Sequence, residues 1–162
     1  MSVTFEEFRE MIDNAEKHGA CADSIEHLRT FKTFEEFEKH PYSPFYTYWY
    51  AKKVLKEKFS QGESIIATNA LFSYYYAVYV LKGRFPAGEP VVGKHRDYSY
   101  YYALDILKER FEQGEVAISL IPIHSFFYAK FVLGKRFLEG ENVIKSNKLL
   151  WEQYKDHFNI KE

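Results

Sequence analysis

Cysteine is nearly missing from this sequence: Cys21 is the only one in 162 residues. An internal disulfide and a multi-thiolate metal site are thereby excluded, and the usage fits a reducing compartment. As a lone thiol, Cys21 is expected to act as a small buried hydrophobe. Excess charge of either sign is also lacking, since 22 basic and 23 acidic residues leave a formal net charge of −1. No global field then gathers phosphates or anionic lipids, which disfavours a dedicated nucleic-acid binder. No apolar run reaches the roughly 18 residues of a membrane-spanning helix, and the opening MSVTFEEFREM has no signal-like apolar segment. The expectation is a soluble cytoplasmic protein without membrane association.

Signatures of chemistry are equally scarce. There is no glycine-rich phosphate loop and no Gly-x-Ser-x-Gly turn, and His18, His27, His40, His95, His124 and His157 show no metal-ligand spacing. Cys21 near His18 or His27 has no third group to orient a nucleophile. The chain is read as non-enzymatic, with no catalytic residue, no metal and no cofactor.

What the sequence does contain is a repeat, and a repeat decides the fold. Tyr50, Tyr76, Tyr102, Tyr128 and Tyr154 are spaced by 26 residues. The first four are followed by Ala51, Ala77, Ala103 and Ala129, then by Val54, Val80, Ile106 and Val132, then by Leu55, Leu81, Leu107 and Leu133. Phe59, Phe85, Phe111 and Phe137 come next, and each unit closes on glycine and glutamate: Gly62-Glu63, Gly88-Glu89, Gly114-Glu115, Gly140-Glu141. These apolar positions form one stripe of a 3.6-residue period, so each unit should hold a helix of about 15 residues that stops at the glycine. The remaining pieces, ESIIATNA, EPVVGKHR, EVAISLIP and ENVIKSNK, are expected to form one short helical turn; Pro90 suits a first helical position. Two short helical pieces cannot bury an apolar face alone, so the units should stack, with alanine allowing close helix approach.

The predicted fold is all-α: a small α-solenoid of about four 26-residue repeats over 42–145, a helical N-terminal cap over 1–41, and a partial capping repeat over 146–162. Lys155 stands in the alanine column of that last piece, as expected where no further unit docks. In the N-terminal part, Thr4 with Glu7 and Thr33 with Glu36 read as capping boxes, Gly19 and Pro41 as stops, and CADSIEHLRT as a third short helix.

At YAVYVLKGRFPAGEPVVG and YALDILKERFEQGEVAIS the chain resembles the tandem short helical repeats found in small accessory proteins of tailed bacteriophages. HGACADSIEHLR is similar to a short module, centred on Ala-Cys, of phage and bacterial proteins. The resemblance implies a phage protein made in the host cytoplasm, where such proteins bind and redirect host machinery or defence systems; it implies no activity. Gly134 in the lysine column and His124 in an aromatic column depart from the pattern and predict a local difference in the fourth unit.

Three columns compete for a role. The tyrosines read as core, with hydroxyls finding polar partners at the edge of the stack. Lys58, Arg84, Arg110 and Arg136 are placed in the last turn of each long helix, where cations offset the helix dipole. Five residues later come the glutamates, so an arginine–glutamate ladder is expected, against a phosphate-binding ribbon reinforced by Lys56, Lys82 and Lys108. Repetition gives those glutamates equivalent surroundings, which argues against an acid–base pair. The third column precedes each tyrosine: Trp49, Tyr75, Tyr101 and Phe127 lie off the invariant stripe, beside Tyr79 and Phe131 four residues on. A ribbon of partly exposed aromatics marks an interface. The leading expectation is a module that binds a host or phage protein; a nucleic-acid or nucleotide binder, and a structural protein that self-assembles as a homo-oligomer, are the alternatives.

Overall fold

The computed structural model describes residues 3–161 and is all-helical. Helix α1 (Phe5–Lys17) opens on the expected capping box: the Glu7 N–H donates to Thr4 Oγ1 at 3.2 Å, and the Thr4 N–H donates to the Glu7 carboxylate at 2.6 Å. It stops where Gly19 takes φ +83°, in the left-handed region that suits glycine. Helices α2 (Ala22–Thr30) and α3 (Phe34–Glu38) follow, the latter capped by Thr33. There the Glu36 carboxylate accepts from the Lys32 N–H instead of closing the box on Thr33. Phe8, Phe34 and Phe37 pack ring on ring at 4.7–5.6 Å. This core runs without a break into that of the repeats.

The repeats form two rows. Helices α4 (Ser43–Tyr50), α6 (Ala70–Tyr76), α8 (Tyr98–Tyr102), α10 (Pro122–Phe127) and α12 (Lys148–Phe158) make one row. The short helices α5 (Glu63–Ile66), α7 (Glu89–Val92), α9 (Glu112–Ile118) and α11 (Leu138–Lys145) make the other. The short piece of each unit is thus helical, as expected. Ala51, Ala77, Ala103 and Ala129 are all fully buried along the long row.

The long helices do not run on to the glycines. From each invariant alanine the backbone widens into a π-type turn, Ala51–Leu55, Ala77–Leu81, Ala103–Leu107 and, one residue earlier, Tyr128–Leu133. In these turns a residue bonds five positions back: Lys56 N–H and Lys108 N–H reach the carbonyls of Ala51 and Ala103 at 2.8 Å. The helix then ends on a left-handed residue, Lys56, Lys82 or Lys108 at φ 58°, 52° and 55°, and Gly134 at φ 63°. The helix is therefore shorter than expected and its stop is the lysine column. Gly134 departs from that column only by being the residue that adopts the conformation without strain.

The invariant glycine instead caps the second helix at Gly62 and Gly88 and lies in its first turn at Gly114 and Gly140, and its reason is space. Gly88 has φ −89°, which any residue adopts, but a Cβ there would stand 2.5 Å from a Phe85 ring carbon and 2.7 Å from Ser73 Cβ. The phenylalanine at +9 lies beyond the helix and folds back on its own unit's tyrosine, as in Tyr76–Phe85 at 5.0 Å.

A stability prediction follows from the lysine stops. Lys82→Gly is expected to stabilise by about 0.5–1 kcal/mol, the relief of left-handed strain less the added freedom of the unfolded chain. In a chain of this size that raises Tm by roughly 1–4 °C. Lys82→Ala keeps the strain and should not raise Tm; an equal gain from both substitutions would show that charge, not conformation, is at issue.

Candidate protein-binding surface

From Tyr76 onward, each tyrosine of the main column belongs to two units at once. The Tyr102 hydroxyl accepts from the Phe85 N–H at 2.7 Å and donates to Glu89 Oε1 at 3.0 Å. Tyr76, Tyr128 and Tyr154 repeat the pattern on Phe59 and Glu63, Phe111 and Glu115, Phe137 and Glu141. All four side chains are fully buried. Burial pushes the Tyr76 hydroxyl up to about 12 and raises the others too, so each stays a neutral donor to its carboxylate.

The same glutamates take the basic column. Arg84, Arg110 and Arg136 fork onto Glu89, Glu115 and Glu141 through two bonds each, at 2.7–3.1 Å. Lys58 approaches Glu63 at 3.6 Å. The Arg136 hydrogen bonds hold the Glu141 carboxyl below the usual range, against the opposing effect of burial. These cations lie past the end of the long helices and not in their last turn, because the left-handed stop comes first. Their partners are carboxylates, and Arg84 and Arg110 have further acidic neighbours in Glu109 and Glu112. The candidate phosphate ribbon is thus a chain of ion pairs welded to the interior by tyrosine.

The column before the tyrosine is half-buried at Trp49, Tyr75 and Phe127 and exposed at Tyr101. Four residues on, Tyr79 and Phe131 are exposed, at 52% and 58%. The rings touch within units, Tyr75–Tyr79 at 5.7 Å and Phe127–Phe131 at 5.4 Å. They also touch across units, Tyr48–Tyr75 at 5.9 Å and Tyr74–Tyr101 at 6.2 Å. Lys52 holds its ammonium 4.0 Å from the Tyr79 ring centre, and Lys130 lies over Phe126 and Phe131. Trp49 differs from its column, lining a cleft against the N-terminal helices.

Sequence reasoning missed what carries this surface. Two further 26-residue columns interlock across units: Tyr48 meets Phe72 at 5.8 Å, Tyr74 meets Tyr98 at 5.6 Å, and Tyr100 stacks on His124 at 4.8 Å with the planes 14° apart. His124 is a flat ring in an aromatic slot, with Nδ1 3.2 Å from the Arg96 carbonyl. The Tyr74 hydroxyl donates to Asp105 of the next unit, and burial, aided by that carboxylate, raises its pKa. The spacing of both columns was readable; that they meet across units was not.

Cys21 is exposed, a correction to its expected burial: it caps the start of α2, where its thiol lies 2.9 Å from the Ser24 hydroxyl. Hydrogen bonding from Ser24 lowers its pKa. Among the described residues no group of three or more histidine, cysteine or acidic side chains is placed to hold a metal ion, and no helix is long and apolar enough to cross a membrane. Comparison with known protein families, with characterised proteins and with solved structures found no match.

Proposed function

We propose that the chain is a non-enzymatic binding scaffold whose aromatic ribbon docks a protein partner. The carrying observation is that interlocked rings run across units from Tyr48 through Tyr75 and Tyr74 to Tyr101 and His124 and leave the faces of Tyr79 and Tyr101 exposed, while a separate Phe127–Phe131 pair exposes Phe131 in the fourth unit. Rings held by neighbours lose little freedom on binding, and buried interface aromatics supply much of the affinity of protein complexes. Following the resemblance of its repeats, we take the chain to be a tailed-phage accessory protein that binds and modulates a host protein in the host cytoplasm. The nucleic-acid reading loses support because Arg84, Arg110 and Arg136 are occupied by glutamates.

The test is affinity purification of the tagged full chain from bacterial lysate, with mass spectrometry of what co-purifies. Tyr101→Ala and Phe131→Ala should each weaken the recovered complex by about 2 kcal/mol, some thirtyfold. Tm should change little, because both rings are exposed. Undiminished recovery at unchanged Tm would remove the ribbon from the interface. Recovery of nucleic acid that vanishes steeply with salt would favour the phosphate reading instead.

A further inference from the structure

The ends of the long helices carry cations that the scaffold does not use. Lys56, Lys82 and Lys108 sit at the left-handed stops, one in each of the first three units, and all three are exposed. Lys53 and Lys135 are exposed near the same helix ends. Among the described residues, none of these five ammonium groups has an ion pair or a hydrogen bond, whereas Arg84, Arg110 and Arg136 beside them are forked onto glutamates. The acids of this edge are fewer: Glu57, Asp105, which takes the Tyr74 hydroxyl, and Glu109, which faces Arg84. A chain of net charge −1 thus holds one local basic edge.

Exposed rings share that edge. In the second and fourth units Tyr79 and Phe131 occupy the position that Lys53 holds in the first. A groove of about 510 Å³ between the first two units is lined by Lys52, Lys56, Tyr79 and Lys82. The next, of about 330 Å³, shares Lys82 and adds Asp105 and Lys108. Because neighbouring packed helices stand about 8–10 Å apart, the lysine column repeats at about that spacing along the stack. Nucleic acid fits it less well. A strand carries a charge about every 3.4 Å, and Lys52 and Lys130 stand over the Tyr79 and Phe131 rings on which bases would stack.

We infer that the partner of the aromatic ribbon presents an acidic segment, whose carboxylates recur about every 8–10 Å and pair with Lys56, Lys82 and Lys108 while its apolar side chains lie on Tyr79 and Phe131. This rests on the ribbon being the docking surface and adds the chemistry of what docks there.

The probe is a capped twelve-residue peptide of four Glu-Pro-Pro triplets. Its polyproline II form advances about 3.1 Å per residue, so its carboxylates recur about every 9 Å along one side. The comparison is a block isomer, four glutamates followed by eight prolines, of equal charge. Each is titrated into the full chain by calorimetry at low ionic strength, where exposed ion pairs are least screened. The triplet peptide is expected to bind one to one, about fivefold or more tightly than the block isomer. Replacing Lys56, Lys82 and Lys108 together by glutamine should weaken it about tenfold, and Lys82→Gln alone about twofold. Tm should not move, since glutamine meets the same backbone and the lysines have no partners to lose. A control replaces Lys94, Arg96 and Lys148 by glutamine; it removes as much charge from the opposite ends of the long helices and should change binding less than twofold. The proposal is overturned if the triplet peptide does not bind saturably, if the block isomer binds as well, if the two triple variants weaken it equally, or if a twelve-nucleotide oligothymidylate binds more tightly through the same lysines. The co-purified partner separates the two readings: a partner lost by Tyr101→Ala but kept by the lysine triple leaves the ribbon standing and removes the acidic segment, whereas a partner indifferent to both removes the ribbon as well.

Discussion

Tyr102→Phe is expected to destabilise the fold by about 3 kcal/mol, although it deletes a single oxygen atom. That oxygen joins the Phe85 N–H, at 2.7 Å, to the Glu89 carboxylate, at 3.0 Å, in a fully buried position. Its loss leaves the N–H with no partner and strips a bond from a carboxylate that is only 4% exposed. An unsatisfied buried donor costs about 1–3 kcal/mol, and a lost bond to a charged group about 1.5–3. Tm should fall by roughly 6–12 °C in a chain of this size. Tyr79→Phe, at a largely exposed ring, should stay within about 0.5 kcal/mol of the parent. Thermal and urea unfolding followed by circular dichroism measure both; a loss at Tyr102 no larger than at Tyr79 would mean that the tyrosine network does not tie the units together.

Ala103→Leu should be nearly as damaging, for the opposite reason. Ala103 is fully buried where the π-type turn of its unit packs between those of the units before and after. Three added carbon atoms have no room there, and overpacking costs about 1–3 kcal/mol. Each unit of a stack touches only its neighbours, so a wedge in the middle also weakens the coupling between halves. Unfolding is expected to start earlier and to broaden or split into two transitions in urea. Melting like the parent, in one sharp step, would show that the alanine column is not where the long helices meet.

Much of this was legible in the residues themselves. The alanine column, the helical short pieces, the Thr4–Glu7 box, the Gly19 stop and the pairing of Arg84, Arg110 and Arg136 with glutamates five residues on all rest on local sterics and short-range charge. A 26-residue period carries such information because each unit repeats the same near neighbours. The stop of the long helices was not legible. Lysine has no preference for the left-handed region, so Lys56, Lys82 and Lys108 look like ordinary helix residues, and only Gly134 hinted at the conformation they share. The glycine column misled because glycine serves two needs, a positive φ or a close approach, and here it serves the second.

Tertiary structure alone decided which unit meets which. Tyr102 reaches back 17 residues to Phe85, and Tyr100 reaches forward 24 to His124, separations set by how one unit sits on the next. It also decided that Cys21 faces out and that the Thr47 and Ser99 hydroxyls find no hydrogen-bond partner while Ser73 and Ser125 of the same column do. A sequence period records what recurs within each unit, whereas register between units, and the one seam where the repeat begins, depend on packing that no single unit contains.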